Sequence, residues 1–361
     1  MSHTPPLVST RPLVAVASVI VRLADFDYDL PATRIAQTPV EPRDSARLLV
    51  DQGAAEPLHA HVSDITRFLR PGDLIVVNDT KVIPARLRLQ RRTGGAAEVL
   101  LLEPQTGGDG SPDRRVWEAL VRPGKKLRIG EQLLTPGGVA LVEIGERTAA
   151  GDTFLVTLLG ESDPLTLLAD HGDMPLPPYI TTPLAERERY QTVYASEPGS
   201  AAAPTAGLHF TPALLDAVQD LGVEVARVEL VVGLDTFQPM SVDDPRDHQI
   251  HSERYRVDDA VLEQCRNAAR VIAVGTTATR ALESAATFGE SSGRTRLFIH
   301  RGYEWKVVDL LLTNFHLPRT TLLLMIDAFI GPRWRRLYEE ALAGDYRFLS
   351  FGDAMLLDRS L

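Results

Sequence analysis

A chain of 361 residues, 44% hydrophobic and 24% charged, is long enough for about two domains, and this composition excludes a disulfide-stapled miniprotein, a collagen-like chain and a wholly disordered tail. Its single cysteine, Cys265, excludes an internal disulfide and a cysteine-based zinc site and favours a reducing compartment. A formal charge of −10 excludes a globally basic nucleic-acid binder, although a local basic patch remains open.

In chain order, the stretch 13–21 behind Arg11 is the closest approach to a signal or a span. It falls short of the ~20 apolar residues that cross a bilayer, and Arg22, Asp25 and Phe26 follow it at once with no small-residue cleavage site. It reads as a short strand ending an N-terminal extension over 1–24. The protein is therefore expected to be cytoplasmic, with no membrane partner.

From 58 to 159 short apolar runs (74–77, 86–89, 98–102, 117–121, 139–144 and 154–158) are broken by glycine- and proline-rich turns at 94–95, 107–110, 123–124 and 136–138. That spacing predicts a small antiparallel barrel or sandwich. Beyond it the period changes. Thr211 reads as an N-cap with Pro212 at the first helical position; Leu214, Leu215, Val218 and Leu221 form one apolar face, and Gly222 stops the helix. A strand over 223–232 follows. Two further units repeat the alternation: strand 271–274, turn Gly275-Thr276-Thr277 and a helix, then strand 306–312, loop 313–316 and a helix over 320–329. A helix over 334–342 and a strand over 347–351 come last. The pattern predicts an α/β domain with a largely parallel sheet, made of 25–57 and 160–361, carrying an inserted small antiparallel β-barrel domain over 58–159.

Ligands of open α/β sheets collect beyond the carboxyl ends of the strands. Three such ends are polar here: 233–236 with Asp235, Gly275-Thr276-Thr277, and Thr313-Asn314-Phe315-His316. The second opens a helix, whose free N–H groups suit a carboxylate or phosphate, with Arg280 close behind; ordinary threonine capping is the plain alternative. His316 is either a ligand-facing residue or a structural one. His209 follows the small, proline-containing run 203–208, with Thr205 and Gly207, a composition suited to close backbone approach to a ligand. His248 with His251, and His59 with His61, have the spacing of metal pairs but no third ligand nearby, so no metal is expected. His251 and Glu253 alternate along an expected strand and could act as an acid/base pair on one face. The chain has no G-x-G-x-x-G opening a helix, no P-loop and no G-x-S-x-G. A Rossmann dinucleotide site, an ordinary methyltransferase site, a P-loop NTPase and a nucleophilic hydrolase are therefore unsupported. Between Lys81 and Arg128 eleven basic side chains face five acidic ones. Lys81, Arg86, Arg122, Lys125 and Lys126 are the candidates for tracking an RNA backbone, against the plain alternative of a solvated charged face.

Taken together, the motifs resemble the S-adenosylmethionine:tRNA ribosyltransferase-isomerase family of queuosine biosynthesis. The matching stretches are 26–31, 35–39, 78–86, 174–180, 190–194, 202–210, 251–253, 275–277, 306–309, 313–318, 346–348 and 352–355, in order along the chain. The resemblance implies a β-barrel beside an α/β domain. It also implies transfer and isomerisation of the ribosyl part of S-adenosylmethionine onto 7-aminomethyl-7-deazaguanine in a tRNA anticodon, yielding epoxyqueuosine, adenine and methionine. S-adenosylmethionine would be a cosubstrate, with no metal or redox cofactor. Within the matched motifs, His209 or His316 is expected to transfer a proton and Asn314 to bind adenine or ribose. Thr276, Thr277 and Arg280 would hold a carboxylate or phosphate, with Thr205, Gly207, Gly275 and Asp235 also at the ligand. Glu253 and Asp353 would orient His251 or the acceptor amine. Three positions depart from the family: Val231 stands for a histidine, Asp235 for a glycine and Arg301 for a proline. The first two leave open a related S-adenosylmethionine-dependent methyl or ribosyl transferase with another acceptor. A non-enzymatic RNA-binding module is the third reading.

Overall fold

The structure, a computed structural model, describes residues 22–106, 112–148, 151–233, 239–248 and 250–361. The strand expected over 13–21 and the candidate Asp235 lie outside the described residues.

The chain opens with β1 (Arg47–Val50), β2 (Leu58–His61), β3 (Asp73–Asn78) and β4 (Thr80–Val82). Then come β5 (Arg86–Arg91), β6 (Ala96–Thr106), β7 (Pro112–Arg122), β8 (Gln132–Leu134), β9 (Ala140–Arg147) and β10 (Phe154–Leu158). Helix α1 (Pro164–His171), β11 (Gly172–Asp173), β12 (Glu197–Ser200), α2 (Pro212–Asp220) and β13 (Glu224–Leu230) follow. Next are β14 (Glu253–Arg256), α3 (Asp259–Asn267), β15 (Arg270–Val274), α4 (Gly275–Phe288) and β16 (Ser292–Thr295). The last are β17 (Leu310–Asn314), α5 (Thr321–Ile330), α6 (Arg333–Ala343) and β18 (Ala354–Asp358).

Nine strands form one mixed sheet in the order β16-β14-β13-β3-β15-β17-β18-β1-β2. Its centre, β13-β3-β15-β17, is parallel, and antiparallel pairs flank it at β14, β18 and β2. Both faces are covered, as a parallel centre requires. Leu74, Val76, Val271, Ala273 and Leu311 pack with α4 and α5 on one side. Ile75, Val77, Ile272, Val274 and Leu312 pack with Leu214 and Val218 of α2 on the other. Helix α2 starts as its sequence dictates, with Thr211 Oγ1 accepting from the Leu214 N–H and Pro212 in the first turn.

Strands β5-β6-β7-β10-β9-β8 close into a six-stranded antiparallel barrel through the β5–β8 pairing, with β11 added on β5. Trp117, Val99, Leu101, Val142 and Phe154 fill its interior. Two segments that the sequence assigns to this module belong elsewhere: β2 and β3 sit in the large sheet, and the barrel strands begin only at Arg86. The reason is legible in β3, whose six residues are all buried. A continuous apolar run suits a central parallel strand, whereas barrel strands alternate. The strand expected over 306–312 starts only at Leu310. Buried Glu283 of α4 accepts hydrogen bonds from the N–H groups of Lys306, Val307 and Val308, holding that stretch as a loop. The segment 347–351 is a turn instead of a strand, with Leu349 in the left-handed region at φ 69°. The buried Asp353 carboxylate accepts from the N–H groups of Arg47 and Arg347 and fixes that turn.

Topology places the barrel. The chain leaves the carboxyl end of β3 at Asn78, builds the barrel and returns to β13, which pairs with β3. The barrel therefore hangs over the edge of the sheet at which β13, β3, β15 and β17 all end. Among the described residues, no helix is long and apolar enough to cross a membrane.

Candidate active site

Two adjoining hollows lie on that edge. The first, of about 590 Å³, brings together Thr205, the α4 start Gly275-Thr276-Thr277, Asn314 and His316. The second is a crevice of about 1280 Å³ between the sheet domain and the barrel, reached by His251, Glu253 and Arg280 from one side and Glu103 and Glu118 from the other. Leu322 lines both.

In the first hollow β15 runs straight into α4 through Gly275, whose φ of +88° is a conformation only glycine adopts readily. Helix α4 has no side-chain cap, so its first N–H groups open onto the hollow. Asn314 is oriented by its neighbours: Thr205 Oγ1 donates to its Oδ1 at 3.0 Å, and its Nδ2 donates to the Asp353 carbonyl at 3.4 Å. The His316 ring lies 3.0 Å from Thr313 Oγ1 through Nε2. Burial lowers its pKa to about 3, so it is neutral. The Thr277 hydroxyl oxygen is buried without a partner among the described residues.

Other candidates support the walls. His209 does not line the first hollow. Its Nδ1 and Nε2 face the carbonyl oxygens of Ala206 at 3.1 Å and Gly352 at 2.9 Å, tying together two loops that do. Burial holds its pKa below the usual value, although both carbonyls and Asp353 pull the other way. Gly207 is required by packing, because a Cβ there would stand 1.9 Å from the Tyr194 hydroxyl. Arg280 turns away from Thr276 and Thr277. It forms a buried ion pair with Glu253 and donates to the carbonyls of His251 and Leu297. Asp353 is spent on its turn and does not reach His251. Tyr179 and Ser350 also line this hollow and carried no signal of their own in the sequence, although both lie in or beside the matched motifs. Glu103, Glu118 and Arg294 in the crevice carried no signal, because nothing in a barrel sequence says which outer face meets a neighbour.

The cationic candidates do not form one patch. Lys81 is exposed on β4, which pairs with β12 outside the barrel. Arg86 is half-buried, its Nη2 donating to the Leu176 carbonyl at 3.4 Å. Arg122, Lys125 and Lys126 are all exposed; Lys125 and Lys126 follow just beyond the end of β7, and Arg122, its last residue, stands opposite Glu98. Five residues further along β6 lies Glu103, so this cationic rim is roughly 16 Å from the crevice at ~3.3 Å per residue.

Because burial lowers the pKa of both His209 and His316, the unfolded chain binds more protons once the pH falls below their ordinary value of about 6.5. Their contribution is complete above that pH and is lost on acidification, for His316 down to about pH 3. Thermal melts between pH 7 and 5 are expected to show a falling Tm, and His316→Asn or His209→Asn should flatten the slope.

A ligand hollow at the carboxyl edge of a parallel sheet, overhung by a barrel with a cationic rim, defines a two-domain α/β enzyme. The chain belongs to the queuosine biosynthesis protein family, whose model matches residues 23–357. It is 48% identical over 348 residues to the S-adenosylmethionine:tRNA ribosyltransferase-isomerase of Symbiobacterium thermophilum, covering 93% of this chain and 100% of that one. It is 47% identical over 351 residues to the protein of the same name from Moorella thermoacetica, with 93% and 100% covered. Among solved structures, the S-adenosylmethionine tRNA ribosyltransferase of Thermotoga maritima is similar at a TM-score of 0.51 and 35% identity, over 92% of this chain and 99% of that one.

Proposed function

We propose that this enzyme transfers and isomerises the ribosyl part of S-adenosylmethionine onto 7-aminomethyl-7-deazaguanine in a tRNA anticodon, giving epoxyqueuosine, adenine and methionine. What carries the proposal is convergence: Thr205, Gly275-Thr276-Thr277, Asn314 and His316, from three separate stretches of sequence, meet in one hollow. The sulfonium acidifies the C5′ protons of the ribose. A base removes one, adenine leaves, the aminomethyl group bonds to the rearranging sugar, and methionine departs as the epoxide closes. The sequence of steps is redox-neutral and calls on no redox cofactor or metal, and S-adenosylmethionine enters as a cosubstrate.

Asn314 and the first N–H groups of α4 offer hydrogen bonds to adenine or ribose. His316, neutral, serves as a hydrogen-bonding partner. His251, at the crevice wall, precedes β14 instead of alternating with Glu253 along it, and would exchange a proton with the acceptor side from a loop steadied by the Glu253–Arg280 pair. Arg122, Lys125 and Lys126 would hold phosphates of the RNA away from the reacting base. Such a substrate places the enzyme in the cytoplasm.

Incubating the protein with S-adenosylmethionine and tRNA carrying the aminomethyl base, with mass analysis of the small products, tests this. Free adenine and methionine in equal amounts are expected. S-adenosylhomocysteine in their place would mean methyl transfer, and RNA binding without turnover would mean a binding module.

A further inference from the structure

The two hollows differ in charge. Among the described residues lining the first, none is Asp, Glu, Lys or Arg. Its polar atoms are threonine hydroxyls, the Asn314 amide, the neutral His316 ring, Tyr179 and Ser350. The crevice is lined by Glu103, Glu118 and Glu253 and by Arg280 and Arg294. Two of these carboxylates are matched: Glu253 by Arg280, and Glu103 by Arg294 at 2.7 Å, a bridge between barrel and sheet domain. Glu118 stands opposite Glu103 in the β6–β7 register. Thr153 Oγ1 donates to its Oε1 at 2.5 Å, and it has no cationic partner among the described residues.

S-adenosylmethionine has the same division. Its adenosine part is neutral and rich in donors and acceptors, whereas its other end carries an ammonium, a carboxylate and the sulfonium. Burying a charge in a hollow without counter-charges is costly, while neutral polar atoms left unpaired there lose a hydrogen bond each. We infer that the cosubstrate lies with adenosine in the uncharged hollow at α4 and β17 and its aminoacyl end across Leu322 in the crevice, its carboxylate toward Arg294 and its ammonium toward Glu118. This rests on the ribosyl-transfer reading for the identity of the ligand. The unpaired Thr277 hydroxyl then receives a partner from the nucleoside. The competing orientation puts the carboxylate at the open first turn of α4.

Equilibrium binding to the full chain of 5′-methylthioadenosine, which lacks the amino-acid end, and of S-adenosylhomocysteine, which has it, separates the two. Thr277→Val removes a hydroxyl with no partner among the described residues and is expected to leave the fold intact. It is expected to weaken both ligands by roughly 5- to 50-fold. Arg294→Ala and the isosteric Glu118→Gln are expected to weaken S-adenosylhomocysteine about tenfold or more and to leave 5′-methylthioadenosine within about twofold. Loss of 5′-methylthioadenosine binding in the crevice variants, or its indifference to Thr277→Val, would overturn the orientation. Adenine release by the unaltered enzyme is followed separately, since its absence removes the ribosyl-transfer reading while the binding pattern still decides how the nucleoside lies.

Discussion

Replacing His316 by alanine is expected to slow adenine release by roughly 10²- to 10³-fold, and replacing it by glutamine by no more than about tenfold. The ring is buried and its environment excludes the charged form. Its backbone carbonyl accepts from the Tyr28 hydroxyl, and its N–H donates to the Tyr338 oxygen at 2.9 Å. Burial raises the pKa of both phenols, so neither supplies a negative charge. No Asp or Glu among the described residues lines the hollow to stabilise an imidazolium. At neutral pH such a ring gives or takes a hydrogen bond but has no proton to spare. Glutamine keeps a donor and an acceptor near the same place, which is why it should rescue. Thr313, 3.0 Å from Nε2, is the positioning residue that sets the ring's orientation. The rate profile of His316→Gln between pH 5.5 and 8.5 should keep the shape of the unaltered enzyme's profile. Loss of one of its limbs would instead make His316 the general acid or base.

How far the sequence could be read depends on the range over which each feature is set. Helix α2 was legible because Thr211, Pro212 and Gly222 are local signals with local consequences. The converging site residues were legible because strand ends in an α/β sheet share one edge, whatever the details. The place of β3 was not, since membership of a sheet is decided by partners far along the chain: Asp73–Asn78 pairs with residues beyond 220 on both sides. The same limit governed Arg280. Its position three residues after Thr277 suggests a shared anion site. Residues three apart on a helix do share a face, only about 60° apart round the axis, but Arg280 is drawn to Glu253 on β14, a partner that no local pattern reveals. His209 and Asp353 stood in the matched motifs, but no sequence pattern separates a group that touches ligand from one that braces the loop carrying it.

Glu253→Ala is expected to destabilise the fold by roughly 3–5 kcal/mol, the cost of leaving a buried guanidinium without its counter-charge. The side chains of Arg280 and Glu253 are only 9% and 7% exposed, so water cannot replace the missing partner. Arg280 also gathers the carbonyls of His251, Thr295 and Leu297 around the same point, and Glu253 accepts from the Gly233 N–H. Arg280→Met should cost a similar amount, because it strands a buried carboxylate. The double variant Glu253→Leu with Arg280→Met should recover most of the loss, to within about 1–2 kcal/mol of the original, since a buried pair seldom outperforms apolar groups of like volume. Urea denaturation of the three variants measures this. The cycle also discriminates function. If Arg280 clasped the cosubstrate's carboxylate, Arg280→Met would weaken S-adenosylhomocysteine binding while barely moving the denaturation midpoint, and the double variant would recover nothing. With the pair serving as the crevice's inner brace, stability carries the coupling, and the binding of 5′-methylthioadenosine in the neighbouring uncharged hollow is retained in whichever variants fold.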